Sequence, residues 1–110
     1  MNLSEYAHGM YIDVPMPPDM VVYRVQCGRD YFAAINTKRK LLSGQYGDGT
    51  IAVSSNIRLE TGLDFMAYYV IYVGFGDEMD AMHFRLAYED VKIMHMWDDR
   101  LRVTLIKGKD

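Results

Sequence analysis

Few side chains here can serve as bases, nucleophiles or soft metal ligands. They are His8, His83 and His95 and one cysteine, Cys27. A zinc or catalytic centre needs ligands at matched spacing, such as two histidines one helical turn apart or a close cysteine pair. Neither spacing occurs, so no metal ligand is assigned, and His83 and His95 read as hydrogen-bonded structural histidines. Cys27 closes an apolar run and precedes Gly28-Arg29. A neighbouring arginine lowers a thiol pKa, but a nucleophile also needs a positioned base, and no histidine lies near it in sequence. Cys27 is therefore expected to be a free structural thiol, and no catalytic residue is assigned. Gly44, Gly47 and Gly49 form G-x-x-G-x-G. A phosphate cradle follows a strand and opens a helix, whereas these glycines leave a predicted helix and enter a strand. They read as a loop, with no cofactor implied. Asp77, Glu78 and Asp80, like Asp98 and Asp99, lack the ligand count and the glycine of a calcium loop. Helix capping and a tight turn explain them.

The elements that position these residues are organised around one stretch. Met66 to Phe75 carries no charge and is rich in β-branched and aromatic residues, which suits a packed strand. Being apolar on both sides, it reads as a central strand. Asp77 then caps a helix, and Met79, Met82, His83 and Leu86 fall on one face of it; Met82 and Leu86 are expected to face the sheet, with Glu78 and Arg85 exposed. Upstream, Met20 to Cys27 is a strand, and Asp30 caps a helix from Tyr31 to about Ser43. Thr50 to Leu59 alternates as a strand, and Glu60 to Asp64 turns back. Val91 to Trp97 is a further strand, and Leu101 to Ile106 is expected to return from it as a hairpin strand. Residues 1–19, with Pro15, Pro17 and Pro18, read as an N-terminal arm with a short edge strand at Met10 to Val14. Residues 20–110 read as a single α+β domain. The order predicts a ferredoxin-like fold: one antiparallel sheet, βαββαβ plus the final hairpin strand, with two helices on one face.

Composition narrows the function classes. The chain has 110 residues, 50% of them apolar, so a packed core is expected rather than disorder. Ten apolar residues are too few to span a bilayer as a helix. One cysteine and an N-terminus interrupted by Glu5, His8 and Asp13 suit a cytoplasmic protein without a signal peptide. The net charge of −3 combines +4 over residues 20–59 with −7 over residues 60–99. Such a bipolar chain suits a charged partner, while net acidity disfavours non-specific nucleic-acid binding.

Two resemblances bear on function. Gly76 to Tyr88 resembles a strand–turn–helix segment with the pattern D-A-x-x-F-[K/R]-L in small uncharacterised proteins of tailed bacteriophages. Asp80, Ala81, Phe84, Arg85 and Leu86 match it. This implies a phage-encoded protein and carries no activity with it. Tyr68, Tyr72 and nearby Arg24 resemble the stacking platform of an RNA-binding sheet. The K/R-G-F/Y pattern of such sheets is missing, since Met66 to Phe75 has no basic residue.

Strand parity completes the reading. Odd positions, among them Tyr23, Val25, Val53, Ile57, Leu59, Ile71 and Val73, are expected to form the helix-side core, and even positions face the other way. That second face is expected to be bare and to serve as an interface through Val22, Arg24, Arg58, Met66, Tyr68, Val70, Tyr72, Met94 and Met96. The alternative is that the arm, through Tyr11, Ile12 and Val14, or the last strand covers it within the same chain. The function expected is a non-enzymatic protein-interaction module that forms a homodimer or binds another protein. The alternatives are single-stranded nucleic-acid binding by the sheet face and a small enzyme with an intersubunit site.

Overall fold

A computed structural model describes residues 10–43, 49–87, 91–93 and 100–106. Their elements are β1 (Met10–Pro15), β2 (Val21–Gly28), α1 (Tyr31–Leu42), β3 (Ile51–Ser54), β4 (Arg58–Thr61), β5 (Ala67–Phe75), α2 (Glu78–Ala87), β6 (Val91–Ile93) and β7 (Arg102–Ile106). Both helices start where an aspartate can cap them. Asp30 accepts the Phe32 N–H at 3.0 Å, and Asp77 accepts the Met79 N–H at 2.7 Å, satisfying amides that the first turn leaves orphaned. Thr37, a poor helix former, returns its hydroxyl to the Ala33 carbonyl at 2.9 Å.

The strands form one antiparallel sheet in the order β1-β7-β3-β5-β2-β6, with β4 also paired to β5. Both helices pack on one face: Leu41 of α1 and Ala81 and Phe84 of α2 share a core with Tyr23, Val25, Ile51, Val53, Ile71, Val73 and Phe75. Two expectations need correction. First, β7 does not pair as a hairpin with β6. It lies at the opposite side of the sheet, between β1 and β3. There Val103 stands opposite Ser54 and Leu105 opposite Ala52, so small residues on β3 make room for larger ones on β7. Second, Thr50 to Leu59 is not one strand. Ile51 pairs with Phe75, but Arg58 pairs with Val70, so β3 and the start of β4 carry two residues more than the matching stretch of β5. Because two is even, the faces keep their parity across the break.

The even-numbered face is a second core. Val22, Ala52, Val70 and Tyr72 pack with Met16, Leu101 and Val103, flanked by Val14, Met20 and Leu105. The expected bare face is thus covered by side chains of the same chain, from the arm and the last strand. Val70 is 0% exposed, Tyr72 7% and Val22 8%. Gly74 is what lets the arm in: a Cβ there would lie 2.9 Å from the Met16 sulfur and 3.0 Å from that of Met20. A glycine inside a strand commonly marks such a close approach.

Helix α2 is rotated from its expected orientation. Ala81 and Phe84 face the sheet, while Met79, Met82 and Leu86 are exposed, Leu86 at 80%; His83 is exposed as well. The aromatic fit decides. The Phe84 ring lies 5.1 Å from Phe75 and 6.1 Å from Tyr23, contacts worth more than their buried area alone. Phe84→Ala should cost about 3–5 kcal/mol, whereas Leu86→Ala should stay within about 0.5 kcal/mol of the parent. Urea denaturation of both variants checks this, and the reverse ranking would overturn the orientation.

Candidate functional site

Of the residues singled out by spacing, the structure brings Gly49 and Asp80 together. His8, Gly44, Gly47, Met94, His95, Met96, Asp98 and Asp99 lie outside the described residues. Gly49 donates its amide to Asp80 at 3.0 Å, so this carboxylate ties Gly49 to the first turn of α2. Among the described residues, no three His, Cys, Asp or Glu side chains lie together as a metal site. No helix among them is long and apolar enough to cross a membrane.

Of the residues expected at an interface, Arg24, Arg58 and Tyr72 do meet, around Glu60. Arg24 Nε lies 3.1 Å from Glu60 Oε1, and the Tyr72 hydroxyl donates to Glu60 Oε2 at 2.5 Å. The Arg58 guanidinium sits 5.5 Å from the Tyr72 ring centroid. Burial, then the Glu60 hydrogen bond and charge, push the Tyr72 hydroxyl pKa up. This arrangement locks β4 to β5 and β2. It leaves Tyr72 without an open ring face for a base to stack on.

Among the described residues the two most exposed large apolar side chains lie at the β4–β5 hairpin instead, ahead of Leu86 on α2. Leu63 is 88% exposed and Phe65 89%. The turn between the strands is tightly held. Gly62 donates to the Met66 carbonyl at 2.8 Å, Phe65 donates to the Gly62 carbonyl at 3.1 Å, and Asp64 accepts from the Met66 amide at 3.1 Å. The Tyr68 hydroxyl also donates to Asp64. That bond and the Met66 amide hold the Asp64 carboxyl below the usual carboxylate range. This geometry places Phe65 at φ 63°, the left-handed region that favours glycine or asparagine. At the base of the hairpin Leu59 stands opposite Tyr69. The Tyr31 ring lies 5.4 Å from Tyr69 and 6.5 Å from Phe32, and Leu59 and Phe32 are exposed. Of the expected interface residues, Met66 and Tyr68 lie near the tip of this hairpin, and Arg58, Val70 and Tyr72 lie further along its strands. Periodicity does not single out Leu63 or Phe65. The available signal is an apolar residue on either side of Asp64 in a turn, where polar residues and glycine are usual.

The break between β3 and β4 produces a second feature. Ladder pairing lapses there, and side chains take over: Ser54 Oγ accepts the Tyr72 amide at 3.0 Å, and Lys38 Nζ donates to the Ser55 carbonyl at 2.8 Å. A cavity of about 410 Å³ opens between this break and α1. Ile35, Leu42 and Ile57 contribute apolar walls, and Lys38, Arg39 and Asn56 polar ones. Burial lowers the Lys38 pKa. Ser55 also lines the cavity, and its Oγ is buried without a hydrogen-bond partner.

Cys27 is half-buried, and its thiol lies 3.6 Å from the Val25 carbonyl, which accepts from it. Burial raises its pKa, outweighing hydrogen bonds involving Thr37 and Ile71 that lower it. Arg29 is exposed and does not reverse this. No family model, curated protein or solved structure matches the chain.

Two outcomes follow. Val70→Asp places a charge in the second core and should cost more than about 4 kcal/mol, a large part of a typical domain stability of about 5–15 kcal/mol. Its circular dichroism should show loss of the fold; a folded variant would reinstate the bare face. The raised Cys27 pKa means that the unfolded chain releases the thiol proton at lower pH than the folded one. Stability should therefore fall as pH rises from the ordinary thiol range toward the folded-state value. Iodoacetamide alkylation should have a pH midpoint above that of free cysteine, and a midpoint at or below it would contradict the burial argument.

Proposed function

We propose that this chain is a small non-enzymatic interaction module that acts by binding protein, with the β4–β5 hairpin as its contact surface. The observation that carries this reading is Phe65, an aromatic side chain 89% exposed on a residue at φ 63°. Left-handed backbone in a bulky residue costs about 1–3 kcal/mol, and an exposed phenyl ring offsets none of that within the chain. A partner that buries the ring supplies the offset. Leu63, Leu59, Tyr31 and Phe32 extend the apolar surface, and such patches mark interfaces.

The proposed partner is a second copy of the chain. Among the described residues β4 pairs only with β5, so its other edge presents free backbone groups to a matching strand. Two β4 edges pairing antiparallel about a two-fold axis would bring both hairpin tips into one interface. We read the stretch β6-β2-β5-β3 with its two helices as a ferredoxin-like unit, widened by β7 and β1. The resemblance of Gly76 to Tyr88 to tailed-phage proteins supports a phage origin, and the lone thiol suits a cytoplasmic one.

Phe65→Gly separates binding from folding. Glycine removes the backbone strain, so the melting temperature should hold or rise, while loss of the ring should weaken association at least tenfold. Light scattering across a concentration series checks this. Wild type should pass from monomer to dimer and Phe65→Gly should remain monomeric; equal dimerisation of both would remove the hairpin from the interface.

A further inference from the structure

The cavity between α1 and the β3–β4 break has the composition of a ligand site; it shares Tyr31 with the apolar surface of the hairpin, and its other lining residues are separate from that surface. Its volume of about 410 Å³ falls in the range of small-molecule clefts, roughly 300–1,000 Å³. Ile35, Leu42 and Ile57 supply one apolar side, and Ile57 and Leu42 also pack against the helix-side core. That side is therefore a rigid extension of the core.

The polar side is cationic and carries spare hydrogen-bonding capacity. Lys38 and Arg39 both line the cavity, and among the described residues no aspartate or glutamate does. Lys38 uses one donor on the Ser55 carbonyl, and an ammonium group has three. Arg39 is exposed, with no carboxylate partner among the described residues. The Asn56 side chain adds an amide. The buried Ser55 hydroxyl lacks a partner, although buried polar groups are nearly always satisfied. Apolar walls beside unneutralised cations suit an amphiphile with a negative head, since charge-assisted hydrogen bonds to a carboxylate are stronger than neutral ones.

We propose that this cavity binds a small organic carboxylate with an apolar body, its tail against Ile35, Leu42 and Ile57 and its head at Lys38 and Arg39. The test uses three probes of equal chain length: octanoate, octanol and octylammonium. Each is titrated into the full chain and followed by amide chemical shifts in two-dimensional NMR. Octanoate should saturate at about 1 mM or below, with shifts centred on Ile35, Leu42, Ser55 and Ile57. Octanol should bind at least tenfold more weakly, and octylammonium more weakly still.

Lys38→Met keeps an unbranched side chain of similar length and removes the charge, so it should reduce the preference for octanoate over octanol by about tenfold. Arg39→Gln changes an exposed residue and gives the same reading should Lys38→Met fail to fold. Equal affinity for octanoate and octanol would overturn the proposal. So would shifts confined to the hairpin, or no saturable response up to about 10 mM octanoate. The dimerisation of Phe65→Gly is a separate measurement, so either idea can fail alone.

Discussion

Strand β5 has to be dry on both faces. From Val70 to Phe75 every residue is buried, alternately toward the helices and away from them. One face meets Phe84, Ala81 and Leu41; the other meets Met16, Leu101 and Val103. A strand of this kind cannot sit on a sheet with one wet side. The arm and the last strand are therefore structural necessities of this sheet. Gly74 sits at the point where that need is met, because its missing side chain leaves space for two methionine sulfurs.

The same strand creates the exposed features. β3 covers the upper part of one edge of β5 and β4 the lower part, with extra residues between them. Where pairing lapses, Ser54 and Lys38 supply hydrogen bonds in place of the ladder, because buried amides and carbonyls left unpaired are costly. The cavity lies between this break and α1. Beyond the break β4 and the start of β5 form a hairpin tied down by the Arg24–Glu60–Tyr72 cluster. A rigid hairpin with an apolar tip presents its side chains at little ordering cost, which favours binding.

Much of this was legible locally. Asp30 and Asp77 announce their helices because capping depends on only the next few residues. Odd-numbered parity predicts the helix-side core on β2, β3 and β5 because alternation is a property of the strand itself; it fails at Leu59, which β4 carries beyond the helices and leaves exposed. Gly74 also carries a readable signal, a glycine within a strand, although nothing local says which side chains fill its space. The orientation of α2 was not legible. Met79, Met82 and Leu86 make as good an apolar face as Ala81 and Phe84, so periodicity does not choose between them. The choice falls to ring packing against Tyr23 and Phe75, which are distant in sequence.

By itself, the sequence determined the helix starts, the central strand, the strand parity and the absence of closely spaced metal or nucleophile pairs. Each depends on neighbours a few residues apart. Only the tertiary structure decided that β7 joins β3 and β1, that the second face is closed, and that apolar exposure is greatest at Leu63 and Phe65. Those outcomes depend on which distant surfaces fit one another. Apolar burial is non-directional, so a sequence states that Val70 and Tyr72 must be covered without stating by what. The covering side chains are selected by shape, at Gly74 and opposite Ala52, once the sheet has formed.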